Sequence, residues 1–164
     1  MRKLIAVLFL YVLFCDFASA VPFAKWTKSV LTLNNGIVQR TIQLPVISGN
    51  FLTTAYKPVE GEFKYFGSAN TDFQFEIDST TYSGRSNWSL TGIKSITDLH
   101  DGDGAAVTLM SDDKKIEVTL SFLLYPDLPV VRKSLTIKNN EQKEVAIESV
   151  DTEKFSVTGY FATT

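Results

Sequence analysis

The chain has 164 residues, of which 45% are hydrophobic and 21% charged, enough apolar material for one folded domain and too little length for several. Lys and Arg number 16 against 18 Asp and Glu, a net charge of −2, so no basic face marks a nucleic-acid partner. The single Cys excludes an internal disulfide framework and a zinc site built from several cysteines.

Arg2 and Lys3 precede an unbroken apolar run from Leu4 to Phe14, and Ala18-Ser19-Ala20 follows as a small-x-small cleavage pattern. A membrane-spanning helix needs roughly 20 apolar residues, more than this run supplies. Residues 1–20 therefore read as a secretory signal peptide cut after Ala20. A lipoprotein signal wants a small residue before its Cys, and Phe14 precedes Cys15. Cleavage removes Cys15 and leaves residues 21–164 as a secreted or periplasmic β-sandwich domain without cysteine. Its stability then rests on burial and sheet hydrogen bonds in an oxidising compartment. No second apolar run is long enough to span a membrane.

The remainder reads as strands. Val30–Leu33 and Ile37–Gln43 flank Asn34-Asn35-Gly36, residues tolerant of positive φ. Pro45–Gly61 is interrupted by Gly and Pro and reads as a long loop around a short strand, Phe51–Tyr56. Phe73, Phe75 and Ile77 alternate with Asp72, Gln74, Glu76 and Asp78, the period of a half-buried strand. Ile93–Leu99 and Ala105–Met110 are separated by Asp101-Gly102-Asp103-Gly104, and Ser111-Asp112-Asp113-Lys114 leads into Ile116–Tyr125. In that strand Val118, Leu120, Phe122 and Leu124 share one face. Val131, Leu135 and Ile137 oppose Arg132, Ser134, Thr136 and Lys138, and Asn139-Asn140-Glu141-Gln142 turns toward Val145–Val150. Nothing sustains the spacing of a long amphipathic helix. Short turns between consecutive strands predict hairpins and meanders, in an all-β antiparallel β-sandwich of roughly ten short strands.

Chemistry-bearing residues are sparse. His100 lies in Asp98-Leu99-His100-Asp101-Gly102-Asp103-Gly104. An EF-hand calcium loop would need Asp or Asn where Ala105 stands, so the segment reads as a polar hairpin turn and no metal site is predicted. Glycosidases commonly use two flanking carboxylates. Glu60, Glu62, Asp72, Glu76 and Asp78 fall on strand faces or turns expected to be solvated, so no catalytic residue stands out. Gly-rich phosphate loops are absent and no cofactor is called for. Tyr82-Ser83-Gly84-Arg85-Ser86-Asn87-Trp88-Ser89 places a Trp on a polar segment. Trp88, with Tyr82 and Arg85, is the candidate carbohydrate contact, against the alternative that the Trp simply packs in the core. Asn87-Trp88-Ser89 is also an N-glycosylation acceptor triplet.

The stretch Tyr125-Pro126-Asp127-Leu128-Pro129-Val130-Val131-Arg132-Lys133, followed by Leu135-Thr136-Ile137-Lys138-Asn139, is distinctive. It resembles the N-terminal β-sandwich domain of α-galactosidases of the melibiase type, where a strand ending in Tyr-Pro runs through a Pro kink into a strand ending near Asn. Val145–Asp151 resembles that domain's next strand, and Asp72–Ile77 and Tyr82–Trp88 are similar in style. The resemblance covers Leu31 to Phe155. It implies a galactose-mutarotase-like fold, part of a supersandwich, with catalysis in a following (β/α)8 barrel whose two Asp residues act as nucleophile and acid/base. Thr164 comes before any barrel, so no catalytic residue carries over, and the sandwich is expected to be incomplete at its C-terminus.

The expected function is that of a secreted, non-catalytic segment of an α-galactosidase-type glycoside hydrolase with a supporting or binding role toward carbohydrate. A stand-alone carbohydrate-binding module and a structural or adhesion sandwich are the alternatives. Expected partners are a galactoside or other carbohydrate, the (β/α)8 domain, or a second copy meeting open strand edges.

Overall fold

A computed structural model describes residues 22–60 and 70–155. The signal peptide read from residues 1–20, and Glu62 among the carboxylates, lie outside the described residues.

The described residues form eleven strands and no helix, an all-β fold in three antiparallel sheets arranged as a β-sandwich. The first sheet is a meander of β1 (Ala24–Trp26), β2 (Val30–Asn34), β3 (Val38–Gln43) and β4 (Leu52–Pro58). After it come β5 (Asp72–Ile77) and β6 (Thr80–Ser83), a hairpin. The second sheet is again a meander: β7 (Trp88–Thr97), β8 (Asp103–Ser111), β9 (Ile116–Leu124) and β10 (Val131–Asn139). Finally β11 (Ile147–Lys154) joins β5 and β6 as the third sheet, in the order β11-β5-β6.

Alternation in the sequence becomes burial in the fold. Along β9, Ile116, Val118, Leu120, Phe122 and Leu124 are buried while the residues between them reach the other face. The inner face of the second sheet meets both other sheets through aromatic rings. Phe122 stacks on Phe51 at 6.3 Å, Phe51 meets Phe73 of β5 at 6.3 Å, and Phe73 meets Trp88 at 5.6 Å. Such offset and tilted contacts exploit the ring quadrupole as well as apolar area.

The turns work through their side chains. Gly36 has φ +88°, and Asn34 Oδ1 accepts its N–H at 2.7 Å. Asn35 Oδ1 accepts the Ile37 and Val38 N–H groups, while its Nδ2 donates to the Tyr125 and Leu128 carbonyls at 2.7 and 2.8 Å. One carboxamide thus closes the β2–β3 hairpin and clips it to the turn between β9 and β10.

Two expectations change. The segment from β10 to β11 is no hairpin, because β11 crosses to the third sheet and pairs with β5, Ile147 opposite Ile77 and Val150 opposite Phe75. The β11 ladder supplies the backbone partners on that side of β5. Asp72 is fully buried rather than solvated. Its φ of 59° kinks the entry to β5, so Asp72 and Phe73 both turn inward and alternation begins only afterwards.

Candidate functional site

The most concentrated polar chemistry lies inside the sandwich. Arg40 sits on β3 between the inward-facing Val38 and Ile42, so strand parity points it into the core, where it is 1% exposed. A buried cation needs counter-charges. Its Nη2 donates to Asp72 Oδ1 at 2.7 Å and to Glu153 Oε1 at 3.0 Å, and Nη1 donates to Glu153 Oε2 at 2.9 Å. Nε donates to Thr53 Oγ1 at 2.9 Å. The guanidinium also lies 5.2 Å from the ring centroids of both Phe122 and Phe155 and 5.6 Å from that of Tyr56, within cation–π range.

Asp72 is held from every side. It accepts from the Thr53 N–H, from Thr53 Oγ1 at 2.6 Å and from Asn70 Nδ2 at 3.4 Å, besides Arg40. Asn70 Oδ1 accepts the Asp72 N–H at 2.7 Å, an Asx-type contact that stabilises the positive φ. Lys133 of β10 donates to the Asp72 carbonyl at 2.9 Å and to Glu153 Oε1 at 3.1 Å, and its Nζ lies 3.7 Å from the Asp72 carboxylate.

The cluster therefore joins two cations to two carboxylates and draws from all three sheets: Arg40 from the first, Lys133 from the second, Asp72 and Glu153 from the third. Burial works against the charge of Arg40, but Glu153 and Asp72 more than offset it, and its pKa is raised. Lys133 goes the other way: burial, then the neighbouring Arg40 charge, pull its pKa down despite the two carboxylates. Four of the five N–H donors of the Arg40 fork are engaged, by Thr53, Asp72 and Glu153. The arrangement is suited to holding sheets in register.

Sequence reasoning passed over this cluster, although a signal was present. Arg40 shares the parity of Val38 and Ile42, and Lys133 that of Val131, Leu135 and Ile137. A charge at an inward position predicts a buried partner. Asp72 was masked by the kink, and Glu153 by a strand whose eight residues are all exposed.

The predicted carbohydrate contacts fare unequally. Trp88 is fully buried, its Nε1 donating to the Ser83 carbonyl at 2.7 Å and its ring in contact with Phe73 and with Tyr82 at 6.2 Å. It is a core side chain with no face open to a sugar, which corrects the reading of Trp88 as a carbohydrate contact in favour of core packing. Arg85 is exposed and donates from Nε to the Asn70 carbonyl at 2.8 Å. Tyr82 is half-buried, stacked on Phe75 at 5.3 Å, and its hydroxyl lies 3.3 Å from Asp113 Oδ2. Burial, then the Asp113 charge, raise its pKa.

Tyr82 borders an open depression of about 260 Å³ between β6 and the β8–β9 turn, with Thr80, Thr81, Asn87, Asp112 and Asp113 around it. Burial opposes ionisation of Asp113, but Ser111 Oγ at 2.6 Å, the Lys115 N–H and Tyr82 outweigh it, and its pKa is lowered.

The His100 turn is held by Asp98. Its Oδ1 accepts the His100 and Gly102 N–H groups, each at 2.9 Å, and its Oδ2 accepts the Tyr125 hydroxyl at 2.8 Å. The His100 N–H first, then Tyr125, lower the Asp98 pKa. His100 itself is exposed. Among the described residues no group of three or more His, Cys, Asp or Glu is placed to hold a metal ion, and no helix is long and apolar enough to cross a membrane.

No family model, curated protein or solved structure matches the chain.

Proposed function

We propose that the chain is a secreted, non-catalytic β-sandwich segment of α-galactosidase type, which supports or contacts carbohydrate beside a separate catalytic domain. One observation carries the non-catalytic half: the guanidinium of Arg40 bridges Asp72 and Glu153, the carboxylates that converge inside the sandwich. A retaining glycosidase holds two carboxyl groups on either side of a scissile bond, about 5–5.5 Å apart. Here the space between them is filled by a cation that both carboxylates already bind. The α-galactosidase half rests on the resemblance of the Tyr125–Asn139 stretch, and the antiparallel sandwich agrees with the fold that resemblance implies.

The test is an assay of the purified chain on an activated aryl α-galactoside, with an active α-galactosidase as positive control. No turnover is expected. Turnover that follows the protein through purification and disappears in Glu153→Gln, with circular dichroism unchanged, would overturn the reading. A stand-alone carbohydrate-binding module is the second reading, favoured by the polar depression beside Tyr82.

A further inference from the structure

The depression beside Tyr82 has a composition that selects its ligand. Its walls come from β6, the turn after it and the β8–β9 turn, and every side chain around it carries a hydroxyl, a carboxamide or a carboxylate. None is cationic. Two carboxylates, Asp112 and Asp113, disfavour phosphate, sulfate or uronate, since like charges repel at close range. At about 260 Å³ it falls below the roughly 300–1,000 Å³ of drug-sized pockets, room for one small polar ring.

Its polar groups divide into two sets. Asp113 is bonded to Ser111, the Lys115 N–H and Tyr82, and Ser86 Oγ accepts the Ser83 N–H at 3.0 Å. These bonds hold the frame still, as does the stacking of Tyr82 on Phe75. Asp112, Asn87, Thr80 and Thr81 make no side-chain hydrogen bond among the described residues, and Asn87 and Asp112 are exposed. An acceptor-only carboxylate, a carboxamide with both donors and acceptor, and two hydroxyls are thus left unspent around a half-exposed aromatic ring. A frame already rigid loses little entropy when a ligand arrives. Neutral sugar hydroxyls each offer a donor and acceptors, which matches this mixed set, and the apolar edge of a pyranose suits the phenol ring.

We propose that this depression binds a single neutral pyranose unit, with Asp112 and Asn87 bonding its hydroxyls and Tyr82 forming the apolar wall. The inference rests on the carbohydrate-associated reading above and names the site that reading lacks. A hard divalent cation is the rival occupant, and it wants six to eight oxygen ligands, whereas Asp113 is already engaged.

The test is a titration of the isotopically labelled chain, made in bacteria so that Asn87 carries no glycan. Amide shifts are followed on adding methyl α-galactopyranoside, methyl α-glucopyranoside, methyl α-mannopyranoside or calcium chloride in separate arms. Saturable millimolar shifts with at least one sugar, centred on Thr80–Tyr82, Asn87 and Asp112–Asp113, are expected. Asp112→Ala and Asn87→Ala change exposed residues, and each should weaken binding about tenfold, the equivalent of one hydrogen bond to a charged group for Asp112. Shifts with calcium alone, shifts centred elsewhere, undiminished binding in both variants, or no saturable shift would each overturn the site. None of these results touches the supporting, non-catalytic role, which the turnover assay tests separately.

Discussion

Replacing Arg40 by Met keeps an unbranched apolar stem against Phe122 and deletes the guanidinium. Asp72, fully buried, then loses a cation at 2.7 Å and keeps Thr53, Asn70 and the more distant Lys133. Removing one partner of a buried ion pair costs about 3–5 kcal/mol, because the remaining charge is stranded. The Glu153 side chain is 32% exposed, so water takes over much of its lost interaction and its share of the cost is about 1 kcal/mol at most. The expected loss is therefore about 3–6 kcal/mol, a large share of the roughly 5–15 kcal/mol available to a domain.

The double variant Arg40→Met/Asp72→Asn separates this account from simple loss of packing. With both gone, Lys133 and Glu153 remain as a matched pair at 3.1 Å and the interior is again neutral. The double variant should cost less than the sum of the single ones, by an amount in the upper part of the roughly 0.5–3 kcal/mol range seen for residues in contact. Urea unfolding followed by circular dichroism and by Trp fluorescence reads all four corners of the cycle. An Arg40→Met variant within about 0.5 kcal/mol of the parent, the range of ordinary surface changes, would refute the reasoning. Strict additivity would refute it equally.

Phe122→Ala removes a fully buried ring that also faces Arg40 and Lys133, and should lower unfolding free energy by about 3–5 kcal/mol in the same urea assay. A Cβ at Gly104 would run into the backbone carbonyl of Phe122 across the β8–β9 ladder, so Gly104→Ala should cost about 1–3 kcal/mol by the same assay. Asp98 has a folded pKa below its ordinary 3.8, so its contribution is present above that value and lost as pH falls through the folded one; Asp98→Asn should flatten the acid limb of a Tm–pH profile. Lys133 has a folded pKa below 10.5, so between the two values the unfolded chain binds the extra proton and this residue makes stability rise with pH; Lys133→Met should remove that alkaline rise, while the raised pKa of Tyr82 pulls the opposite way above 10.0 in both proteins.

Period-two patterning carried most of the fold, because in β5, β9 and β10 the same alternation that shows in the sequence decides which side chains leave water. Turn chemistry was equally readable: Asn34-Asn35-Gly36 and Ser111–Lys114 close the hairpins expected of them. Partner choice was harder. Nothing local in Asn139–Gln142 says that the next strand leaves its neighbour, since the free edge of β5 that receives β11 lies far along the chain. The short strands β1 and β6 carry too few residues to show a period. Trp88 misled for a related reason: a polar, Gly-containing segment surrounds it, yet the isolated bridge between Gly49 and Trp88 and the bond to the Ser83 carbonyl bring the indole inside.

The charge cluster and the apolar core do different work. Apolar burial is non-directional and roughly proportional to area, so it favours any stacking of three sheets that hides Phe51, Phe73 and Phe122. A guanidinium fork is directional: it demands carboxylates in its own plane at set distances. Arg40 meets that demand only when β5 and β11 sit at one position relative to β3, and Lys133 adds the same condition for β10. The eight residues of β11 are all exposed, so burial alone gives this strand little reason to take one place on the sandwich. Its ladder to β5 carries two register shifts, and the second falls between Asp151 and Lys154, beside Glu153. Glu153, reaching back to both cations, is the contact that ties the irregular end of β11 to the other two sheets.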